Sequence, residues 1–448
     1  MKLGLGSGTA VALAAVLAVA PTLSARAEPA DPTQGGKGGR IIRVTTLAKD
    51  GPGSLAEALA AKGKRIVVFE VGGAIDLDRS VLNIAEPFLT IAGQTAPSPG
   101  ITLLRGGIDV RTHDVKISHL RVLTGDAGQA KRSGWEADAF STVSAHDVVI
   151  ENNTFMWAVD ENMSASGPRF TGETVDEWRK GTSRNITFRL NFAAEGLADS
   201  SHPKGEHSKG SLVHDNTSGI VFDRNIWAHN VERSPLVKGG AQVLMVNNFI
   251  YDPQHRAVHY NLMDLEWAGH APVTGELTAI GNVMRGGNST DCGLPFLMLG
   301  GVGDLAYYGR DNVAVDRHGD PLPAFGRYGD TTAKLIEAAK PLADVAGYAI
   351  MPSSQVETTL LATAGARPWD RGAEEVRVLF YIAEGRGEVI DSQDEVGGYP
   401  TIPATRAPFR EKDWNLATMT PKSALYPGQK EGAQEHLSPR DRAMRKSN

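Results

Sequence analysis

One pattern recurs along this chain: a strand-like apolar run closes on Asn followed by apolar residues. It appears at Asn191-Phe192, Asn225-Ile226-Trp227, Asn248-Phe249-Ile250 and Asn282-Val283-Met284. Apolar runs bounded by turn residues span 66–71, 88–91, 101–104, 115–122, 148–155, 186–192, 220–227, 243–250 and 277–284. Spacings of about 20 to 35 residues are those of a solenoid. Asn side chains stacked at one corner of successive rungs would hydrogen-bond to neighbouring backbone and form a ladder. The plainer alternative is that Asn recurs because it tolerates left-handed turns. The ladder is preferred, because each Asn sits between a strand-like run and apolar residues.

The fold class expected is therefore all-β: a single-stranded right-handed parallel β-helix. With 50 glycines and only 6% aromatic residues, the composition suits many short strands better than a helical bundle. A solenoid leaves two open ends, and each needs a cover. Ser54-Leu55-Ala56-Glu57 reads as a capping box opening a short helix over 53–62, placed to close the N-terminal end. Past about 287 the pattern turns irregular, with helical stretches expected at 332–342 and 356–364. The division expected is a signal peptide at 1–27, the β-helix domain at 28–290, and a C-terminal extension at 291–448 packed on the outside, partly helical and irregular.

Lys2, the apolar run 9–20 and Ala25-Arg26-Ala27 carry the pattern of a secretory leader, so the protein is expected to be exported, outside the cell or periplasmic. A single cysteine, Cys292, closes no intramolecular disulfide and is expected to be a small packed residue. The net charge of -6 is spread without a basic stripe, which argues against nucleic acid as a partner. A membrane partner is not expected after leader cleavage, and the chain is expected to act as a monomer.

Four charged clusters lie beside strand-like runs. Glu136-Ala137-Asp138 offers two carboxylates as hard oxygen ligands for a cation, although a solvated turn would look the same. Asp160-Glu161 follows the next run, where adjacent carboxylates repel unless a cation relieves them. Lys180-Gly181 precedes Asn185-Ile186-Thr187-Phe188; alone it reads as a solvated charge. In Arg233-Ser234-Pro235-Leu236-Val237-Lys238 the proline stiffens a segment flanked by two cations. A further block, 201–209, carries His202, Lys204 and His207; its spacing fits no standard zinc pattern, and a polar loop or a cleft-lining loop remain open.

In this order the clusters resemble the calcium-dependent pectate lyases of polysaccharide lyase family one, in a bacterial secreted branch. That family carries Asp-x-Asp, a Glu after the Asn-containing strand, Lys-Gly before the next, then Arg-x-Pro-x-x-Arg. The resemblance covers about 37–290, including Gly51-Pro52-Gly53-Ser54-Leu55 and 89–94. It implies Ca²⁺ held by Asp138 and Glu161, with Asp160 or Glu136 assisting. It implies Arg233 as the catalytic base and Lys180 and Lys238 as substrate-binding cations; Lys204, His202 and His207 are weaker candidates to touch the same chain. Cleavage of polygalacturonate by β-elimination would follow. Two positions depart from the family: Glu136 stands where aspartate is usual, and Lys238 replaces an arginine, losing bidentate capture of a carboxylate. A lyase for another uronate polymer, a non-catalytic carbohydrate-binding β-helix and a glycoside hydrolase on the same fold stay open on the residues alone.

Overall fold

The computed structural model describes residues 31–423 and 425–430. The expected leader, like the last part of the tail, lies outside the described residues. The chain winds as a parallel β-helix, as expected. Successive rungs supply three sheets, of eleven, ten and nine strands, and pair in parallel with the rungs before and after; Thr405–Arg406 of the tail adds an antiparallel edge strand to the ten-stranded sheet. One full turn runs from His146–Glu151 through Thr154–Met156 to Glu161–Ser166, and the next begins at Arg184–Arg189.

Strict register aligns like with like. Val115, Val148, Ile186, Ile220, Val243 and Leu277 stand in one column. Ile117, Ile150, Phe188, Phe222 and Met245 stand in the next. All are buried, and the rings of Phe188 and Phe222 stack at 5.1 Å. Such alternation of inward apolar residues is what a half-buried strand demands.

The Asn ladder forms and is longer than the sequence suggests, running Asn153, Asn191, Asn225, Asn248, Asn282, Asn312. The Asn225 amide donates to Asn248 Oδ1 at 3.0 Å and to the Phe188 carbonyl at 2.9 Å. Its Oδ1 accepts from both the backbone and the side-chain N–H of Asn191. Every polar atom at this buried corner is thereby paired. The residue before each ladder Asn takes a left-handed backbone: Asn152, Leu190, Arg224, Asn247, Gly281 and Asp311. That single sharp turn swings the chain from one sheet to the next.

Helix α1, Leu55–Ala60, covers the N-terminal end, burying Leu55, Ala58 and Leu59. Its cap is Ser54, whose side chain accepts from Glu57 N–H. Buried Arg65 donates to the carbonyls of Ala58 and Leu59, satisfying the far end of the helix. Helix α2, Val175–Gly181, opens on a full capping box between Thr174 and Glu177. Helices α3, Ser353–Thr363, and α4, Ala373–Glu384, lie against the ten-stranded sheet. Val356, Leu360, Val378, Leu379 and Ile382 pack there with Met156, Phe192, Ile226 and Phe249. Buried Glu375 of α4 ties them to the coil by accepting from Arg121 at 2.8 Å.

Three expectations need correction. Rungs continue past 290, with strands Leu297–Gly301, Leu305–Arg310, Val313–Val315, Phe325–Arg327 and Leu335–Glu337 in the same three sheets. Residues 332–342 therefore hold a strand where a helix was expected: a short Ala/Lys/Leu run is a marginal helix, and the open edge at Leu305–Arg310 captures it by pairing. Cys292 is exposed rather than packed.

Replacing Asn225 with alanine strands the Phe188 carbonyl and two groups of its ladder neighbours. The expected loss is about 3 kcal/mol of stability, read as a lowered denaturant midpoint. A change below about 0.5 kcal/mol would show the ladder to be incidental.

Candidate active site

The nine-stranded sheet brings the charged clusters together, because its strands begin where those clusters stand. Asp138 stands two residues before the strand Phe140–Val143, and Glu161 opens Glu161–Ser166 with Asp160 just before it. Lys209 opens Lys209–Val213 and pairs in register with Glu161. Glu232 bridges to Lys209, and Arg233 follows it ahead of Leu236–Lys238. Four successive rungs thus stack carboxylate, carboxylate, amine and guanidinium along one edge.

Asp138, Asp160 and Glu161 each place a carboxylate oxygen within 4.8 Å of the others. Asp138 Oδ1 accepts the backbone N–H of Glu161 at 2.9 Å. Asp138 is half-buried yet enclosed by protein. That loss of water, with the charges of Glu161 and Asp160, lifts its carboxyl well above the usual range. Burial also raises Glu161; Asp160 adds to the effect and Arg233 opposes it. Glu161 Oε1 accepts from Arg233 Nη1. A knot of three carboxylates facing one guanidinium is short of positive charge.

The block 201–209 closes over this knot. His207 Nε2 lies 2.7 Å from Asp160 Oδ1, and the ring of His202 stacks on that of His207 at 3.7 Å. Burial holds both imidazoles below their ordinary range, His207 down to about 2. The N–H of Lys204 donates to His202 Nδ1 at 3.1 Å, which leaves the ring proton on Nε2. A protonated Nε2 cannot ligate a metal; it faces Glu136 at 3.0 Å and Asp160 at 3.9 Å. His207 therefore holds the Asp160 carboxylate, and His202 backs it by stacking. His202 is fully buried and cannot touch a ligand in the groove, contrary to expectation. Lys204 and His207 do line it. Glu136 stands apart from the three-carboxylate knot, turned to His202.

Lys180 is not brought to the site. It is exposed in the last turn of α2. The Lys-Gly that opens a strand of this sheet is Lys209-Gly210, which the sequence reading passed over. The same dipeptide was visible in both places; what hid the difference was α2, which absorbs Lys180-Gly181 into a capped helix. Lys209 Nζ donates to Glu232 Oε1 at 2.7 Å, and Arg256 pairs with the other oxygen of Glu232. Burial, with the charges of Arg233 and Arg256, pushes the Lys209 amine down to about 7. Lys238, at the end of its strand, pairs with Glu266 and lies 3.5 Å from Asp215. An open groove of about 440 Å³ joins these groups, walled by Glu161, Arg233, Lys238, Arg256, His259 and Tyr328.

Known proteins resemble the chain in sequence and in fold. The chain is 31% identical over 219 residues to a protein named "Probable pectate lyase C" from Aspergillus terreus, covering 49% of this chain and 45% of that one. A protein of the same name from Emericella nidulans is also 31% identical, over 49% and 44%. The chain thus spans less than half the length of the curated relatives it matches. Among solved structures, the cedar pollen allergen jun a 1 superposes with a TM-score of 0.51 at 15% identity, covering 74% of this chain and 90% of that one. A pectate lyase bound to a hexasaccharide gives 0.51 at 12%, over 77% and 98%. No family model matches. In sequence and in fold the chain resembles pectate lyases.

The raised Asp138 makes a prediction about stability. A carboxyl whose value rises on folding costs the fold nothing below its unfolded value of 3.8 and costs it most above its folded value. Asp138→Asn keeps the oxygen that accepts from Glu161 and removes a charge. In chelator at neutral pH it should gain roughly 1 kcal/mol, seen as a higher melting temperature. A lower melting temperature would show that the carboxylates are not in conflict.

Proposed function

We propose that the protein is a secreted pectate lyase that cleaves polygalacturonate by calcium-assisted β-elimination, leaving unsaturated oligogalacturonides. The observation that carries this is the meeting of Asp138, Asp160 and Glu161 with Arg233 and Lys209 along one sheet edge, where Asp160, Glu161 and Arg233 line an open groove. Export is supported by the leader pattern at 1–27. No described helix is long and apolar enough to cross a membrane.

The donor set fits calcium. Asp138, Asp160 and Glu161 offer oxygen only, the choice of a hard cation, and their mutual repulsion is what a divalent ion would relieve. Bound there, Ca²⁺ would neutralise a uronate carboxylate and stabilise the charge that builds on it as the adjacent C5 loses its proton. In this reading Arg233, released from Glu161 and acting as a neutral guanidine after giving one proton to solvent, takes the C5 proton. The C5–H electron pair becomes the C4–C5 double bond, the C4–O4 bond breaks, and its pair leaves on O4, which takes up a proton. Lys209, Arg256 and Lys204 hold the chain in register. Left-handed backbone at Arg233 aims its side chain back over the rung of Glu161.

Incubation with polygalacturonate should raise ultraviolet absorbance from the unsaturated product. Chelation should abolish the rise, and added calcium should restore it. Arg233→Lys should lower the rate by roughly 10² to 10⁴ with folding intact. Full activity in that variant would remove Arg233 from the role of base, and activity indifferent to exhaustive chelation would remove calcium.

A further inference from the structure

The two edges of the nine-stranded sheet differ in how their charges are matched. At the edge where strands begin, the three carboxylates of the knot face one guanidinium, Arg233. At the edge where they end, cations and carboxylates balance. Arg169 follows the strand Glu161–Ser166, Asp215 follows Lys209–Val213, Lys238 ends Leu236–Lys238, and Glu266 lies in the loop after Val258–Leu262. Stacked rungs bring the four together. Arg169 donates to Asp215 at 2.9 Å and lies 3.1 Å from Glu266; Lys238 pairs with Glu266 and lies 3.5 Å from Asp215. Asp215 is fully buried and is fixed from behind by Trp267 Nε1 at 2.7 Å. Two cations therefore meet two carboxylates, and Lys238 carries no unspent charge into the groove. On the same loop Met263, 42% exposed, turns an apolar surface to the groove beside Lys238.

We propose that the wall formed by Lys238, Glu266 and Met263 is a subsite for a methyl-esterified galacturonate unit, so that partly esterified chains are substrates. The inference rests on the lyase reading above and names a specificity within it. A free carboxylate set there would compete with Glu266 and Asp215 for one ammonium and would be repelled by both. An ester carbonyl adds no charge. It needs one hydrogen bond, and an ammonium with three N–H groups can supply it while keeping its two carboxylate partners. The ester methyl meets the thioether of Met263, a soft surface that adapts to it. Lysine suits this use better than arginine, whose fork is made for a carboxylate.

The test compares kcat/KM on polygalacturonate with kcat/KM on pectin of intermediate esterification, by release of unsaturated product. The wild type should do at least as well on the pectin. Glu266→Gln frees Lys238 and should turn the ratio toward polygalacturonate by about fivefold. The double variant Glu266→Gln/Lys238→Gln should bring the ratio back to within about twofold of wild type, a reversal that mere loosening of the loop would not give. Strong wild-type preference for polygalacturonate, a ratio unmoved by Glu266→Gln, or a shift that survives loss of Lys238 would each overturn the subsite while the lyase reading stands. Absence of unsaturated product from every polymer would bring down the lyase reading, and the subsite with it.

Discussion

Parallel pairing in strict register decides which side chains of this chain can meet. Once Val148 is set on Val115 and on Ile186, residues tens of positions apart in sequence lie one strand spacing apart in space. The Asn ladder enforces that register at the corner, since the Oδ1 of Asn225 takes two N–H groups from the rung before it and its amide reaches a carbonyl on the adjacent strand of that same rung. A slip of one residue would turn the apolar columns outward and break every ladder bond at once. The groove inherits this rigidity. Glu161, Lys209 and Glu232 are adjacent because their strands are.

The same fold treats two buried glutamates in opposite ways, and the contrast locates the chemistry. Glu375 is enclosed by Arg121, Arg371 and the hydroxyl of Thr154, and although burial works against it, these partners bring its carboxyl below the usual range. It is a staple between α4 and the coil. Glu161 is equally enclosed but has Asp160 beside it and Asp138 beneath it, and its carboxyl is raised. A protein that can compensate Glu375 so fully has no structural need to leave Glu161 short of cations. Three carboxylates held rigidly about one guanidinium support the site proposed above.

Much of this was legible because solenoids repeat. The ladder Asn residues and the Ser54 cap of α1 follow from local pattern plus a period, whereas Asp138, Glu161 and Arg233 were picked out by resemblance to a family. What was missed is what a period cannot carry. Asn153 was overlooked because Thr154 follows it in place of an apolar residue. The segment 332–342 has helical propensity and becomes strand only because an unpaired edge waits for it. Lys180 and Lys209 each precede a glycine, and only the cap at Thr174, with Glu177 reaching back to it, assigns the first to a helix. His202 and Glu136 pair across a loop and a rung, a contact that no spacing rule predicts.

The unequal edges of the sheet follow from the lengths of its strands. The strand at Leu236 has three residues, so the guanidinium before it and the ammonium that ends it lie within reach of one bound chain. The first faces carboxylates in excess; the second faces its own number. Lysine at 238, where the family that the sequence resembles carries arginine, belongs with that balance, because Asp215 is buried and fixed by Trp267, and Glu266 and Arg169 complete the set whatever stands in the groove. A planar guanidinium there would have to satisfy two carboxylates set by different rungs with one rigid fork, whereas an ammonium distributes its donors freely. The departure at 238 is thus matched by its neighbours on the rungs to either side. It marks where this groove ceases to be a track for uniform negative charge.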